Sequence, residues 1–206
     1  TGTDNTAVGR NALDANTTAN DNSAFGVGSL TANTTGASNT SIGRKALKTN
    51  TTGAENTAVG FEALEANTTG ANNVALGFTA LDANTTGGSN VAVGSAALSA
   101  NTTASNNTAV GNGALTANTT GTQNTIVGSI AGDSITTGGN NTIMGFNAGG
   151  QFDTGSGNTC FGMEAGMSIA GTNGQNNTAV GINALRSSHA FFSSTAVGQN
   201  CLTAST

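Results

Sequence analysis

Proline, tryptophan and tyrosine are absent from this chain, and large side chains of any kind are scarce. Aromatic residues make up 4% and charged residues 7% of 206 positions, less than an ordinary globular core and surface would use. Five Lys and Arg against ten Asp and Glu give a net charge of −5, which leaves no basic footprint for nucleic acid. No apolar run approaches the length of a membrane span, and no signal peptide is visible. Two cysteines, Cys160 and Cys201, are too few to mark a redox compartment. The chain offers instead Gly, Asn, Thr, Ser and Ala, a composition that by itself would suit disorder.

Order comes from a repeat. The phrase Asn-Thr-Ala-Val-Gly opens at Asn5 and returns 17 residues later at Asn22, then at Asn39, Asn56, Asn73, Asn90, Asn107, Asn124, Asn141 and Asn158. After one unit of 19 residues it resumes at Asn177 and again, as a truncated unit, at Ser194. The consensus over twelve units is N-T-A-V-G-x-x-A-L-x-A-N-T-T-G-x-x, numbered here as positions 1 to 17. Position 4 carries a large apolar residue in every unit, from Val8 and Phe25 to Val180 and Val197, a register that a disordered linker has no reason to keep. A period this short holds neither a helix pair nor a domain, so each unit is one rung of a stack stabilised by its neighbours. The sequence predicts an all-β, parallel β-solenoid (a β-roll) of about twelve 17-residue rungs. At a rung spacing of ~4.8 Å the rod is about 58 Å long. Residues 1–206 form a single array, regular over 5–123 and variant over 124–206. Thr1 to Asp4 match positions 14 to 17, as expected if the chain is a fragment of a longer fibrous protein.

Alternation within a rung places positions 3 and 4 on opposite faces of a strand. The Ala12-Leu13 pair predicts a second short strand of the same kind. Two apolar faces then follow: an interior lined by Val and Leu, and an outward surface of Ala against another chain. The opposite assignment of faces is the alternative. Gly at position 5 in all twelve units predicts a corner with positive φ, or a place that excludes a Cβ. Position 15 holds Gly36, Gly53 and Gly70 but also Ala19 and Ala104, so that bend is expected not to require positive φ.

Substitutions that move together support the stack. In units eight to ten the Leu of position 9 becomes Gly132, Gly149 and Gly166, while Asn at position 12 becomes Ile135, Phe152 and Ile169. Apolar volume has moved between two walls of one interior. Lys45 and Lys48 are expected to stack on Glu62 and Glu65 of the next rung. Asn at positions 1 and 12 is expected to form two amide ladders along the axis. Cys160 and Cys201 occupy different rows two rungs apart, roughly 10 Å or more. That is beyond the about 7 Å that a disulfide spans, so both are expected to be buried thiols.

Asn5-Thr6-Ala7-Val8-Gly9 resembles the Asn-Ser-Val-Ala-Ile-Gly motif in the heads of trimeric autotransporter adhesins, which are trimers of left-handed parallel β-rolls. The fuller phrase, with Ala-Leu and Asn-Thr-Thr-Gly, more closely resembles repeats of bacteriophage tail fibres and tail-fibre-like bacterial surface proteins. The likeness runs from Thr1 to Thr206. It departs from the adhesin heads in a motif one residue shorter and a unit longer than those heads usually have. It implies a homotrimer, an extracellular place on a cell surface or virion, and self-association as the main partnership. A cell-surface receptor or glycan is the external partner such a fibre would meet.

No catalytic, cofactor or metal site is expected, and the chain is not expected to be an enzyme. The one histidine, His189, lies in an irregular segment without an acid and nucleophile around it, and a loop or contact role suits it better. Asp14, Glu65 and Asp82 are isolated acids at variable position 10, on a solvated face. Thr136-Thr137-Gly138-Gly139 lacks the lysine of a phosphate loop. Asn-Thr-Thr at Asn16, Asn33, Asn50, Asn67, Asn84, Asn101 and Asn118 matches the glycosylation sequon, which its place in a turn ladder explains without sugar. The Thr rows at positions 13 and 14 (Thr17-Thr18 through Thr119-Thr120) make an ice-binding solenoid the alternative function, although adjacent residues leave only one outward file. Phe146, Phe152, Phe161, Phe191 and Phe192 gather after residue 140, which points to a change in fibre diameter or a junction, with a recognition surface as the lesser reading. The expected function is a rigid rod of an extracellular fibre, a phage tail fibre or a bacterial adhesin, with multivalent surface contacts.

Overall fold

The computed structural model describes residues 2–167, 174–186 and 192–203. Twelve strands of three residues, from β1 (Thr6–Val8) to β12 (Thr195–Val197), form one parallel sheet in strict sequence order. Every pairing is position on position, for example Ala58 on Ala75 and Val59 on Leu76. The protein is therefore the all-β solenoid that the period predicts, one rung per repeat.

Backbone bonds between rungs continue beyond the strands. Leu64 N donates to Ala80 O, Ala66 N to Asp82 O and Thr68 N to Thr85 O, all in the next rung. With no helix among the described residues and only three strand residues per rung, the coil thus keeps its amides paired around most of its circumference.

The corner glycines take φ from +125° at Gly198 to +146° at Gly77, as expected. Position 15 needs no such conformation: Gly53 and Gly70 are not among the positive-φ residues. The Ala-Leu segment, however, is not a second strand. It is a chain of turns with left-handed residues at position 7 (Lys45, Glu62) and position 9 (Leu47, Leu64). Left-handed geometry costs a residue with a Cβ ~1–2 kcal/mol. Full burial of each Leu contributes about 1.5–3 kcal/mol, so the side chain outweighs the backbone strain. Leu30, Leu47, Leu64, Leu81, Leu98 and Leu115 are all fully enclosed.

The assignment of faces also differs from the expectation. Leu of position 9 points in, but so does Ala of position 3 (Ala24, Ala58, Ala75) and Ala of position 8 (Ala46, Ala63, Ala80), while Val of position 4 points out. The reason is the narrowness of the coil. With Leu crossing the interior from the turn side, the sheet has room only for a methyl group. Where position 9 is Gly, position 3 grows to Ile126, Ile143 or Cys160, all buried. The exchange with position 12 also holds. A Cβ on Gly132 would meet Ile135 Cδ1 at 3.1 Å, and one on Gly149 would meet Phe152 Cδ2 at 3.1 Å and Ile143 Cδ1 at 2.5 Å. Ile169 lies outside the described residues. One polar exchange fits the same geometry: Ser29 at position 8 donates to Ser41 Oγ at position 3 of the next rung, 2.7 Å away, and Ser41 donates to Ala46 O.

Candidate functional site: amide ladders within, an apolar row without

Buried asparagines form both expected ladders. At position 1, Asn73 Oδ1 accepts from the backbone N–H of Asn90 (3.0 Å) and from its Nδ2 (3.2 Å), while Asn73 Nδ2 donates to Gly87 O (2.9 Å). At position 12, Asn67 Nδ2 donates to Asn50 Oδ1 (2.8 Å) and to Gly70 O (2.9 Å). Gly70 O also accepts from Asn56 Nδ2 (2.9 Å), so the two ladders converge on one file of position-15 carbonyls. The position-12 ladder stops at Asn118, whose Oδ1 is buried without a partner because rung eight presents Ile135. The position-1 ladder ends on Ser194, which keeps the backbone bond to Asn177 Oδ1 and turns its hydroxyl to Phe192 O. The sequon asparagines from Asn33 to Asn118 are these buried ladder members, with their amide nitrogens already bonded, so a glycan has no access to them.

The threonines after them divide. Thr51 Oγ1 donates to Thr68 O and Thr68 Oγ1 to Thr85 O, so the position-13 hydroxyls are half-buried and committed to the backbone. Beyond the first rung, where Thr17 is also exposed, position 14 alone forms the outward file of these threonines.

The expected ion pairs between rungs three and four are present. Lys45 Nζ is 2.6 Å from Glu62 and 3.4 Å from Glu65, and Lys48 Nζ is 3.6 Å from Glu65. The hydrogen bond to Glu62 holds the Lys45 ammonium above its ordinary range. A further pair joins Arg186 to Glu164 at 3.1 Å. Asp82 and Asp133, both at position 10, are pushed up by loss of solvent, opposed by bonds from backbone N–H groups of Asp82–Ala83 and Asp133–Ser134. A raised folded-state pKa favours the protonated form, so this contribution to stability is present at low pH and lost as pH rises through the folded value. The rod is therefore expected to keep its melting temperature, or gain slightly, between about pH 7 and about pH 3. A circular dichroism melt at each pH checks this, and a cooperative acid transition within that window would contradict it.

Cys160 is buried, its thiol pushed up to about 12 by desolvation, and Cys201 is half-buried; both are free. Among the described residues no group of three or more His, Cys, Asp or Glu could hold a metal, and no helix is long and apolar enough to cross a membrane. His189 and Phe191 lie outside the described residues. The late phenylalanines separate, with Phe152 in the core and Phe146, Phe161 and Phe192 exposed. The two-residue insertion falls between Met167 and Gly174. The coil resumes at Gly174, whose carbonyl accepts from Asn158 Nδ2 at 2.7 Å.

The distinctive outward feature is on the sheet. Position 4 places Val8, Phe25, Ile42, Val59, Leu76, Val93, Val110, Val127, Met144, Phe161, Val180 and Val197 in one file, none of them buried. Position 2 runs beside it, with Thr, Ser or Val. In rungs nine to eleven the apolar surface widens across the corner glycine to Phe146, Met163 and Ile182 at position 6. No protein-family model, curated protein or solved structure matches the chain.

Proposed function

We propose that this chain is a rigid segment of an extracellular fibre, of the phage tail-fibre or bacterial surface-adhesin type, whose rods pack side by side as a homotrimer. The observation that carries this reading is the unbroken outward apolar file at position 4. Isolated surface hydrophobes are ordinary, whereas a contiguous strip along a whole rod marks an interaction surface. A strip about 58 Å long and roughly 10–15 Å wide offers on the order of 600–900 Å², close to the ~800 Å² per partner of a stable interface. A second copy of the same rod is the occupant that matches it in length and repeat. The Ala rows that the sequence placed at this interface are interior, so the contact belongs to the Val row.

The mechanism is mechanical. Stacked backbone bonds, two buried amide ladders and an apolar core make a stiff spacer, and repeated outward rows allow multivalent contact. The ice-binding alternative is weaker because the sheet face is not flat: Phe25, Leu76, Met144 and Phe161 interrupt its valines, and the position-13 hydroxyls are spent on the backbone. Substituting Val93 and Val110 by aspartate tests the lateral contact without touching the core. The double variant is expected to sediment as a single chain with an unchanged β spectrum. An unaltered sedimentation coefficient would remove the row from the interface.

A further inference from the structure

Position 6 carries one side chain per rung, stacked along the axis. In rungs three to five these are planar: Arg44 Cζ lies 5.3 Å from the centroid of the Phe61 ring, and the rings of Phe61 and Phe78 stack with centroids 5.3 Å apart and an 8° tilt. Phe61 is thus covered on both faces. Phe78 is covered on one face only, and it is 58% exposed. Its other face looks toward rung six, where the column continues with Ser95, followed by Asn112 in rung seven. The register is fixed by Ala96 N donating to Phe78 O and Gly113 N to Ser95 O. Two rungs separate Phe78 from Asn112, roughly 9–10 Å, so one planar ring fits over Ser95 as the next layer of the column.

The chemistry of the rim selects the ring. Positions 6 to 8 of rungs five to seven are Phe78-Thr79-Ala80, Ser95-Ala96-Ala97 and Asn112-Gly113-Ala114, without a charge, whereas rungs three and four carry Lys45 and Glu62 at position 7. The Ser95 hydroxyl and the Asn112 amide bond to none of the described residues, so they are free to bond a ligand. A flat apolar face against an aromatic ring, with hydroxyls around the edge for a serine and an asparagine, describes a sugar. A purely apolar ring would leave those two polar groups unpaired. We propose that a neutral pyranose stacks on the open face of Phe78 over Ser95, with Asn112 closing the far side of the notch. The site gives the fibre reading a ligand class, and it rests on the rod being outward-facing rather than on the number of chains.

Affinity electrophoresis of the intact chain tests it, since a net charge of −5 carries the protein toward the anode. Native gels would contain dextran, mannan or galactan. At least one polysaccharide is expected to slow the unmodified protein at least twofold relative to a sugar-free gel. Phe78→Ala should restore free mobility. Ser95→Ile should do the same while keeping Phe78, because its branched side chain covers the open face without offering a ring of its own, and isoleucine already occupies position 6 at Ile182. Melting temperature and solution mass should not change in either variant. The proposal is overturned if none of the three polysaccharides slows the protein, if Ser95→Ile remains slowed, or if Phe78→Ala alters the mass. That last result would assign the ring to contact between chains, whereas loss of sugar retardation with an intact oligomer leaves the lateral packing untouched.

Discussion

Gly77→Ala is expected to split the rod. Gly77 has φ +146°, a region open essentially to glycine alone, and an added Cβ would lie 2.6 Å from the carbonyl carbon of Gly94 and closer still to its oxygen. The strained dihedral costs about 1–3 kcal/mol. Because the obstructing atoms are backbone, the rungs must also part, which raises the total to about 3–5 kcal/mol. In a stack stabilised by nearest neighbours the loss falls on one junction, between rungs five and six. Calorimetry should resolve two transitions where the parent shows one, with protease cleavage near the junction. A single transition at the parental temperature would show that the corner tolerates a side chain. Gly53→Ala at position 15 separates the two causes: a Cβ there also meets a backbone carbonyl, that of Gly70, but no positive φ adds strain, so its loss should be the smaller of the two.

The second large effect is expected at the amide ladder. Asn73→Ala removes the acceptor for the backbone N–H of Asn90 and leaves a cavity in a fully buried site. Asn84 Nδ2 still serves Gly87 O, and Asn73 N still serves Asn56 Oδ1, so the orphaned donor and the cavity set the loss at about 2–3 kcal/mol. Asn73→Asp should be worse at neutral pH. Its second oxygen would face Gly87 O and Asn56 Oδ1, two acceptors 2.9 and 3.1 Å from the present amide nitrogen. Burial and these acceptors raise the folded-state pKa of such a carboxyl, so its penalty should shrink as pH falls and the acid becomes a donor. Melting curves at about pH 7 and about pH 4 check the sign. A penalty for Asn73→Asp that grows on acidification would contradict this account.

Most of the architecture was legible because the period is exposed in the sequence. Rung count, register, corner glycines, both ladders and the Lys45–Glu62 stacking follow from which residues recur 17 apart. The faces were not legible from the consensus alone, because Ala-Val reads equally well in either orientation. The resolving signal lies in the variant rungs, where Ile126 and Ile143 replace Ala at position 3 while Gly132 and Gly149 replace Leu at position 9. Two residues that trade volume share an interior, which turns Val outward. The left-handed turn at Leu47 and Leu64 was hidden for another reason: leucine is an unfavourable choice there, and only burial makes it tolerable. The aromatic notch depends on Ser95 following Phe78 in one column, a relation that appears once position 6 is known to stack.

The most direct test of the fibre account is the absolute mass of the unmodified chain by light scattering on a sizing column. A homotrimer has three times the 19.8 kDa of one chain, with the position-4 row enclosed between rods, and this is the expected mass. A folded single chain of 19.8 kDa would contradict it, leaving the Val row open to solvent.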